Sequence, residues 1–533
     1  MKPWITAAAF TMLLVPAAAQ PVSEWLTFGF EPSRSGWDPD ETALTPKNVG
    51  KLKLLWATQL STPPRDVALS TLTAPLVAAG IDTAQGSKTL AFTVGADDTL
   101  FALDADSGKT VWQKNFANAA KPQRPANTNC SNTEQATPVI DKARGLIFAT
   151  MSDGKLRALA LGSGEERMPA VPFVAPFSRN WSLNLIDNVV YTAAGRGCGG
   201  DVAQKMESGA VSAMDVSDLA HPQLSRFQTG QGRPAGPWGR GGPVKGPKGV
   251  YVQTADGARD PAAGIHGNAV LAVAPKAYGL LDSFIPASSQ LLNEKDLDLG
   301  SGSPTIFAFH GRTLLATSSK EGVVYVLNAE RLGGADHSQP LLQSPRIGND
   351  AQEYYGQGVW GQISTTPTPD GDRTLFVPMW GPPGKAAQFP ITHGEAPHGS
   401  IMAMRLSEKN MALTLTPLWM SRDLALPDNV AVANGVVYAV QTGEQPAQHY
   451  INPEGHGSTK PGEVRETPEA LVKFRSTPIA PMVLYAFDAE TGKELYSSRK
   501  LLGNWVHFSQ PAVAQGKVFV VSHDAHVYAF GLR

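Results

Sequence analysis

The stretches LFALDADSGKTVW (Leu100–Trp112) and LYAFDAETGKEL (Leu484–Leu495) are near copies set close to opposite ends of the chain. Each reads as an alternating strand, an Asp-x-x-Ser/Thr-Gly-Lys turn and a second strand. Weaker copies start at Leu156, Gly209, Gly267, Gly322, Gly399 and His526, which makes eight. Each copy follows another β-rich run, such as KTLAFTVG from Lys88 or KVFVVSHDA from Lys517. Before most of these lies a third short strand, as in Ala74-Pro75-Leu76-Val77 and Gln510-Pro511-Ala512-Val513. The repeating unit is therefore a four-stranded antiparallel sheet of about 45–60 residues.

Such units bury both faces when stacked radially, leaving only short protected edges. The expected fold is all-β: a single eight-bladed β-propeller over residues 20–533, not a string of domains. The last copy lacks an outer strand, and LKLLWATQL (Leu52–Leu60) reads as that strand, supplied from the N-terminal side. Closing the ring this way removes an open sheet edge.

Composition agrees. The 533 residues include 52 Gly and 42 Pro, more than one residue in six against about one in eight in average chains. That punctuation suits many short strands. The formal net charge is −2, which gives no electrostatic case for nucleic-acid binding. Lys2, an apolar run from Trp4 to Val15 and Ala17-Ala18-Ala19 before Gln20 form a secretory signal peptide over residues 1–19. Beyond it no apolar run is long enough for a membrane span. The mature protein is thus expected in the periplasm or outside the cell. Cys130 and Cys198 are the two cysteines, and in an exported protein they are expected to form a structural disulfide. They make neither a C-x-x-C metal or redox motif nor a C-x-x-C-H haem attachment site.

The Asp-x-x-Ser/Thr-Gly-Lys-x-x-Trp repeats resemble those of the pyrroloquinoline quinone (PQQ) propellers. Trp25-x-x-Phe28-Gly29-Phe30, followed by Leu44-Thr45-Pro46-x-Asn48-Val49 and Leu52-Lys53-Leu54-Leu55-Trp56, is similar to the opening of the quinoprotein alcohol dehydrogenases. The resemblance covers essentially the whole mature chain. Cofactor-free scaffold propellers share the repeat, so it speaks for fold more than for catalysis.

The dehydrogenase resemblance implies a set of site residues. Trp238 falls where the family keeps the tryptophan under the quinone ring, and Lys320 where a cationic side chain contacts it. Asp296 falls on the catalytic Asp, and Asp298 where lanthanide-using members add a second carboxylate. Asp256 stands where the family has a metal-binding Asn, and Glu207 lies in the loop of its metal-binding Glu. The implied cofactors are PQQ with Ca²⁺ or a lanthanide, without haem. Asp256, Asp298 and Glu207 offer hard oxygen ligands for such a cation. The substrate would be a small or polymeric alcohol, and the electron acceptor external. The family's two adjacent cysteines are missing from this chain.

In isolation the same residues have plainer readings: Asp256-Gly257 as a turn pair, Asp296 to Ser301 as a side-chain-capped turn, Lys320 as a hairpin residue, Trp238 as a plug. His393, His398, His449 and His456 have no tight metal-ligand spacing and read as solvated or loop-anchoring residues. No Ser-nucleophile motif or glycosidase-like carboxylate pair is present. Two functions lead, an alcohol-oxidising quinoprotein or a cofactor-free scaffold that binds proteins at the cell envelope; a hydrolase or carbohydrate-binding propeller is the third. Long loops at 195–209, 256–267, 380–399 and 443–482 place the elaborated face between the middle strands of the repeats, where function is expected.

Overall fold

The repeated turn shows why the motif recurs. In its first copy Asp104 Oδ1 accepts from the backbone N–H of Asp106 and Ser107, both at 3.0 Å, and Gly108 takes the left-handed conformation at φ 70°. Asp488 does the same for Glu490 and Thr491, with Gly492 at φ 69°. A tryptophan from the neighbouring blade then lies on that glycine. A β-carbon on Gly108, Gly164 or Gly492 would fall within 2.6 Å of the ring of Trp56, Trp112 or Trp419 respectively. Each indole N–H donates into the same turn: Trp56 to Ala105 O (3.1 Å), Trp112 to Leu161 O (2.8 Å) and Trp419 to Ala489 O (3.0 Å). The motif is a blade-to-blade staple.

The computed structural model describes residues 22–65, 67, 69–122, 126, 130–133, 136–196, 209–231, 235–352, 356–446 and 468–532. Eight antiparallel blades follow one another along the chain. Blade 1 runs Leu76–Thr83, Gly86–Val94, Thr99–Asp104, Thr110–Asn115 from axis to rim. Blade 2 runs Val139–Asp141, Leu146–Thr150, Lys155–Ala160, Val171–Pro172. Blade 3 runs Asn184–Ile186, Val189–Arg196, Ala210–Asp215, Gln223–Gln228. Blade 4 runs Val244–Lys245, Val250–Gln253, Val270–Val273, Leu280–Phe284. Blade 5 runs Thr305–Phe309, Arg312–Thr317, Tyr325–Asn328, Leu342–Gln343. Blade 6 runs Ser364–Pro367, Arg373–Trp380, Gly399–Lys409, Ala412–Met420. Blade 7 runs Ala431–Ala433, Val436–Gln441, Val483–Asp488, Glu494–Ser497.

Blade 8 closes the ring as the sequence predicts. Its strands Ala512–Ala514, Lys517–Val521 and His526–Gly531 are completed by Lys53–Gln59, which pairs antiparallel from Lys53↔Gly531 to Gln59↔His526. The strand alternation sends side chains to both faces, so each blade packs on two neighbours. In blade 5, Leu315, Tyr325 and Leu327 pack with Tyr251 and Val270 of blade 4. Leu314, Ala316 and Val326 pack on the other side with Leu375 and Val377 of blade 6. Two short α-helices, Ser289–Lys295 and Pro468–Arg475, sit in loops. Among the described residues no helix is long and apolar enough to cross a membrane.

One feature has no precursor in the sequence reading. Residues 25–38 thread the axis and bond to the innermost part of every blade. Trp25 exchanges backbone hydrogen bonds with Val77 (2.8 and 2.9 Å), and the N–H of Ile140 donates to Leu26 O at 2.9 Å. Arg34 Nη2 donates to Leu183 O at 2.8 Å. The N–H groups of Lys245, Ile306, Thr365 and Val432 donate to the carbonyls of Pro32, Ser33, Ser35 and Gly36 at 2.8–3.1 Å. The Gly29 N–H donates to Gln510 Oε1 (2.7 Å) ahead of blade 8. Trp37–Asp38 finally adds a parallel strand to Ala431–Ala433. Inner-strand groups facing a channel need partners, and this segment supplies them. Cys130 is disulfide-bonded; Cys198, the other cysteine, lies outside the described residues.

Candidate functional site

The site is built where the chain approaches the inner strands and where it leaves the second strands of blades 4 and 5. Trp238 precedes the inner strand of blade 4, and Asp256 follows that blade's second strand. Asp296 and Asp298 precede the inner strand of blade 5, and Lys320 follows its second strand. These five positions come together.

Lys320 is the hub. Its side chain is buried, and its ammonium donates to Asp298 Oδ2 (2.7 Å), Asp296 Oδ1 (3.1 Å) and the Asp296 carbonyl (2.9 Å). The ammonium also lies 5.5 Å from the centroid of Trp238 and 4.7 Å from that of Trp360. Asp296 caps helix Ser289–Lys295 in the left-handed conformation at φ 53°, a strained state for a residue with a β-carbon. Asp298 Oδ1 accepts the Asp256 N–H at 2.9 Å, which ties blade 5 to blade 4. The Asn268 amide donates to Asp256 Oδ1 (2.9 Å) while its oxygen accepts the Leu299 N–H (2.9 Å).

One carboxylate oxygen from each of Asp256, Asp296 and Asp298 falls within 4.8 Å of the other two. Their proton affinities diverge accordingly. Burial, then the charge of Asp298, pushes Asp256 up to about 9. Asp296 rises to about 6, with burial as the main cause and Lys320 opposing it. Burial would raise Asp298 too, but the Lys320 ammonium overrules it and holds it below the usual carboxylate range. Lys320, despite its burial, is held above its ordinary value by Asp298 and Asp296. Asp296 and Asp298 thus share one ammonium, with Asp256 beside them.

These contacts show where each side chain is held. Asp298 makes no side-chain cap of its own turn, Lys320 is no solvated hairpin residue, and the Asp256 carboxylate is held by Asn268 rather than by its turn. Trp238 is half-buried in an aromatic collar. Its ring centroid lies 6.4 Å from Trp181, 6.0 Å from Trp360 and 6.4 Å from Phe508. The Arg179 guanidinium stands 5.1 Å from the Trp181 centroid and 5.8 Å from that of Trp238. Trp360, Trp181 and Arg179 were not found from sequence. A tryptophan just ahead of an inner strand is the signal that could have flagged the first two. Glu207 lies outside the described residues, as do His449 and His456. His393 Nε2 meets Thr491 O at 2.8 Å and His398 Nδ1 meets Asp423 at 2.8 Å, the loop-anchoring roles expected of them.

The donor set fits the implied cofactors. Three hard carboxylate oxygens suit Ca²⁺ or a trivalent analogue. An indole face with an ammonium beside it suits a flat, electron-poor anion.

The fold is an eight-bladed β-propeller, and it is similar to known proteins. Residues 50–218 match the family model PQQ_2, described as outer membrane protein assembly factor BamB. Three solved structures share the ring. A europium-containing methanol dehydrogenase aligns at TM-score 0.60 and 13% identity, over 96% of this chain and 98% of that one. The quinohemoprotein alcohol dehydrogenase ADHIIG from Pseudomonas putida HK5 gives 0.57 and 13%, over 96% and 80%. The quinohemoprotein alcohol dehydrogenase from Comamonas testosteroni gives 0.56 and 13%, over 96% and 80%. At such identities the likeness is one of fold. No curated protein matches the sequence.

Proposed function

We propose that this protein is an exported quinoprotein-type dehydrogenase that oxidises an alcohol. The observation that carries this reading is the convergence of Asp256, Asp296 and Asp298 on Lys320 beside the face of Trp238. PQQ bound there with Ca²⁺ or a lanthanide would supply the two-electron acceptor. Asp256 and Asp298 are the residues that would hold the metal ion, with Glu207 as a third carboxylate. Asp296, at the exposed end of the cluster, takes the substrate's hydroxyl proton on its carboxylate. Lys320 orients that base by gripping both its carboxylate and its carbonyl. Trp238, set among Trp181, Trp360 and Phe508, would provide the face for the quinone ring. With no C-x-x-C-H motif in the sequence, electrons leave to an external acceptor.

Titration of the purified mature protein with PQQ, in Ca²⁺, in La³⁺ and in chelator, tests this reading. The expected result is metal-dependent binding below about 1 μM. Absence of binding in all three conditions would overturn it. The match of residues 50–218 to the BamB family favours the second reading, a cofactor-free scaffold at the envelope, in that case.

A further inference from the structure

The two ends of the axial segment meet in one buried group of side chains where blade 7 adjoins blade 8. Ser23 stands just ahead of the segment, and Asp38 is its last residue, paired with Ala433 of blade 7. Glu41 follows shortly after, and all three are buried. Ser23 Oγ lies 2.6 Å from Asp38 Oδ2 and 3.3 Å from Glu41 Oε2. A hairpin of blade 8 closes the group. The Gln515 N–H reaches Ser23 Oγ at 3.3 Å, the Gln515 side-chain amide donates to Ser23 O at 2.9 Å, and the Gly516 N–H donates to Glu41 Oε2 at 2.8 Å.

The outer carboxylate oxygens are well supplied with donors. Asp38 Oδ1 accepts the N–H groups of Asp40 (2.8 Å) and Glu41 (3.2 Å), and Glu41 Oε1 accepts those of Ala43 (2.7 Å) and Leu44 (3.0 Å). The inner contact is one proton short. Ser23 has a single hydroxyl hydrogen. Donated to Asp38, as the shorter distance indicates, it leaves the Ser23 and Glu41 oxygens facing each other through lone pairs. A proton added to Asp38 Oδ2 is donated to Ser23 Oγ, and the Ser23 hydrogen then turns to Glu41 Oε2. Two like charges side by side and out of water favour that uptake. Among the described residues neither carboxylate has an ion pair, and Lys517 of the same hairpin is held by Asp106 at 2.7 Å. The other titratable groups that act on the pair are Asp40 and the buried phenol of Tyr438. Burial, then the charges of Asp40 and Glu41, raises Asp38 to about 6 against its hydrogen bonds.

We propose that Ser23, Asp38 and Glu41 form a proton-dependent clasp that fastens the axial segment to the seam between blades 7 and 8 and tightens when Asp38 takes a proton from solvent. Asp38 binds that proton near pH 6 in the folded chain and only near about pH 4 in the unfolded one. The added stability is therefore complete below about pH 4 and is lost as the pH rises through about 6. None of these residues belongs to the acidic cluster, so the clasp stands apart from the quinone reading.

Asp38→Asn keeps the shape of the side chain and carries the donor hydrogen at every pH. The Tm of the full-chain variant minus that of the wild type should climb by about 2 °C between pH 4.5 and 6.5 and stay level above. The subtraction cancels the other titrating groups. A difference that is independent of pH, or that falls as the pH rises, overturns the proposal. Hydrogen exchange of the wild-type chain decides should the variant not fold. After correction for the intrinsic rate, residues 511–518, which contain the Gly516 donor, should be severalfold better protected at pH 5 than at pH 7.5, and residues 141–148 in the corresponding hairpin of blade 2 should not. Equal changes in the two segments overturn the clasp.

Discussion

The ring has two kinds of blade contact. At the contacts between blades 8 and 1, 1 and 2, and 6 and 7, the repeat is near its ideal, and Trp56, Trp112 and Trp419 cover Gly108, Gly164 and Gly492. Around blades 3 to 5 the outer strands Gln223–Gln228, Leu280–Phe284 and Leu342–Gln343 carry no tryptophan. The blade 4 turn breaks into Pro275–Ala277, with Lys276 at φ 57°. That is also where Trp238, Asp256, Asp296, Asp298 and Lys320 converge. The regular side spends its residues on staples. The irregular side gives up that regularity and ties blade 4 to blade 5 through polar bonds of the site itself, such as Asp256 N–H to Asp298. Around blades 3 to 5, departure from the repeat coincides with the place where the acidic cluster sits.

This contrast can be broken by experiment. Asp296→Asn on the irregular side should lower dye-linked alcohol oxidation by about 10²–10⁴-fold, with the Tm nearly unchanged. A loss of fold with full activity per folded molecule would make Asp296 a structural residue. Trp419→Ala on the regular side should cost about 3–5 kcal/mol in denaturant unfolding, because its ring is fully buried. PQQ affinity per folded molecule should stay the same, and a fall in it would merge the two regions into one.

Metal sharpens the comparison further. Ca²⁺ or La³⁺ at a hundred times its Kd should add about 2.7 kcal/mol of stability, read as a rise in Tm that Asp256→Ala abolishes. A metal effect that persists in that variant would place the ion elsewhere. Trp238→Ala should weaken PQQ binding about tenfold, the size of one lost aromatic contact of about 1.4 kcal/mol. An unchanged Kd would remove the stacking role.

Much of this was legible in the sequence because it is local or repeated. The turn chemistry of Asp104 to Gly108 declares itself in five residues, and eight copies multiply the signal. The closing strand at Lys53–Gln59 was legible because the last copy lacked an outer partner. Asp256, Asp296, Asp298, Lys320 and Trp238 could be named by resemblance, although their plainer readings were equally consistent with each residue taken alone. Other features left no trace. The segment 25–38 has no periodicity, since it meets a different blade at almost every step. The ion-paired Arg240 and Asp428 stand 188 residues apart, and no local pattern joins them.

By itself, the sequence determined the strand period, the turns, the number of blades and the way the ring closes, because these follow from side-chain alternation and short-range hydrogen bonding. Only the tertiary structure decided which carboxylates share one ammonium and which tryptophans form the collar. Those outcomes depend on burial and on charges brought within a few ångströms from distant blades, and desolvation and Coulomb forces act on distance in space rather than on distance along the chain.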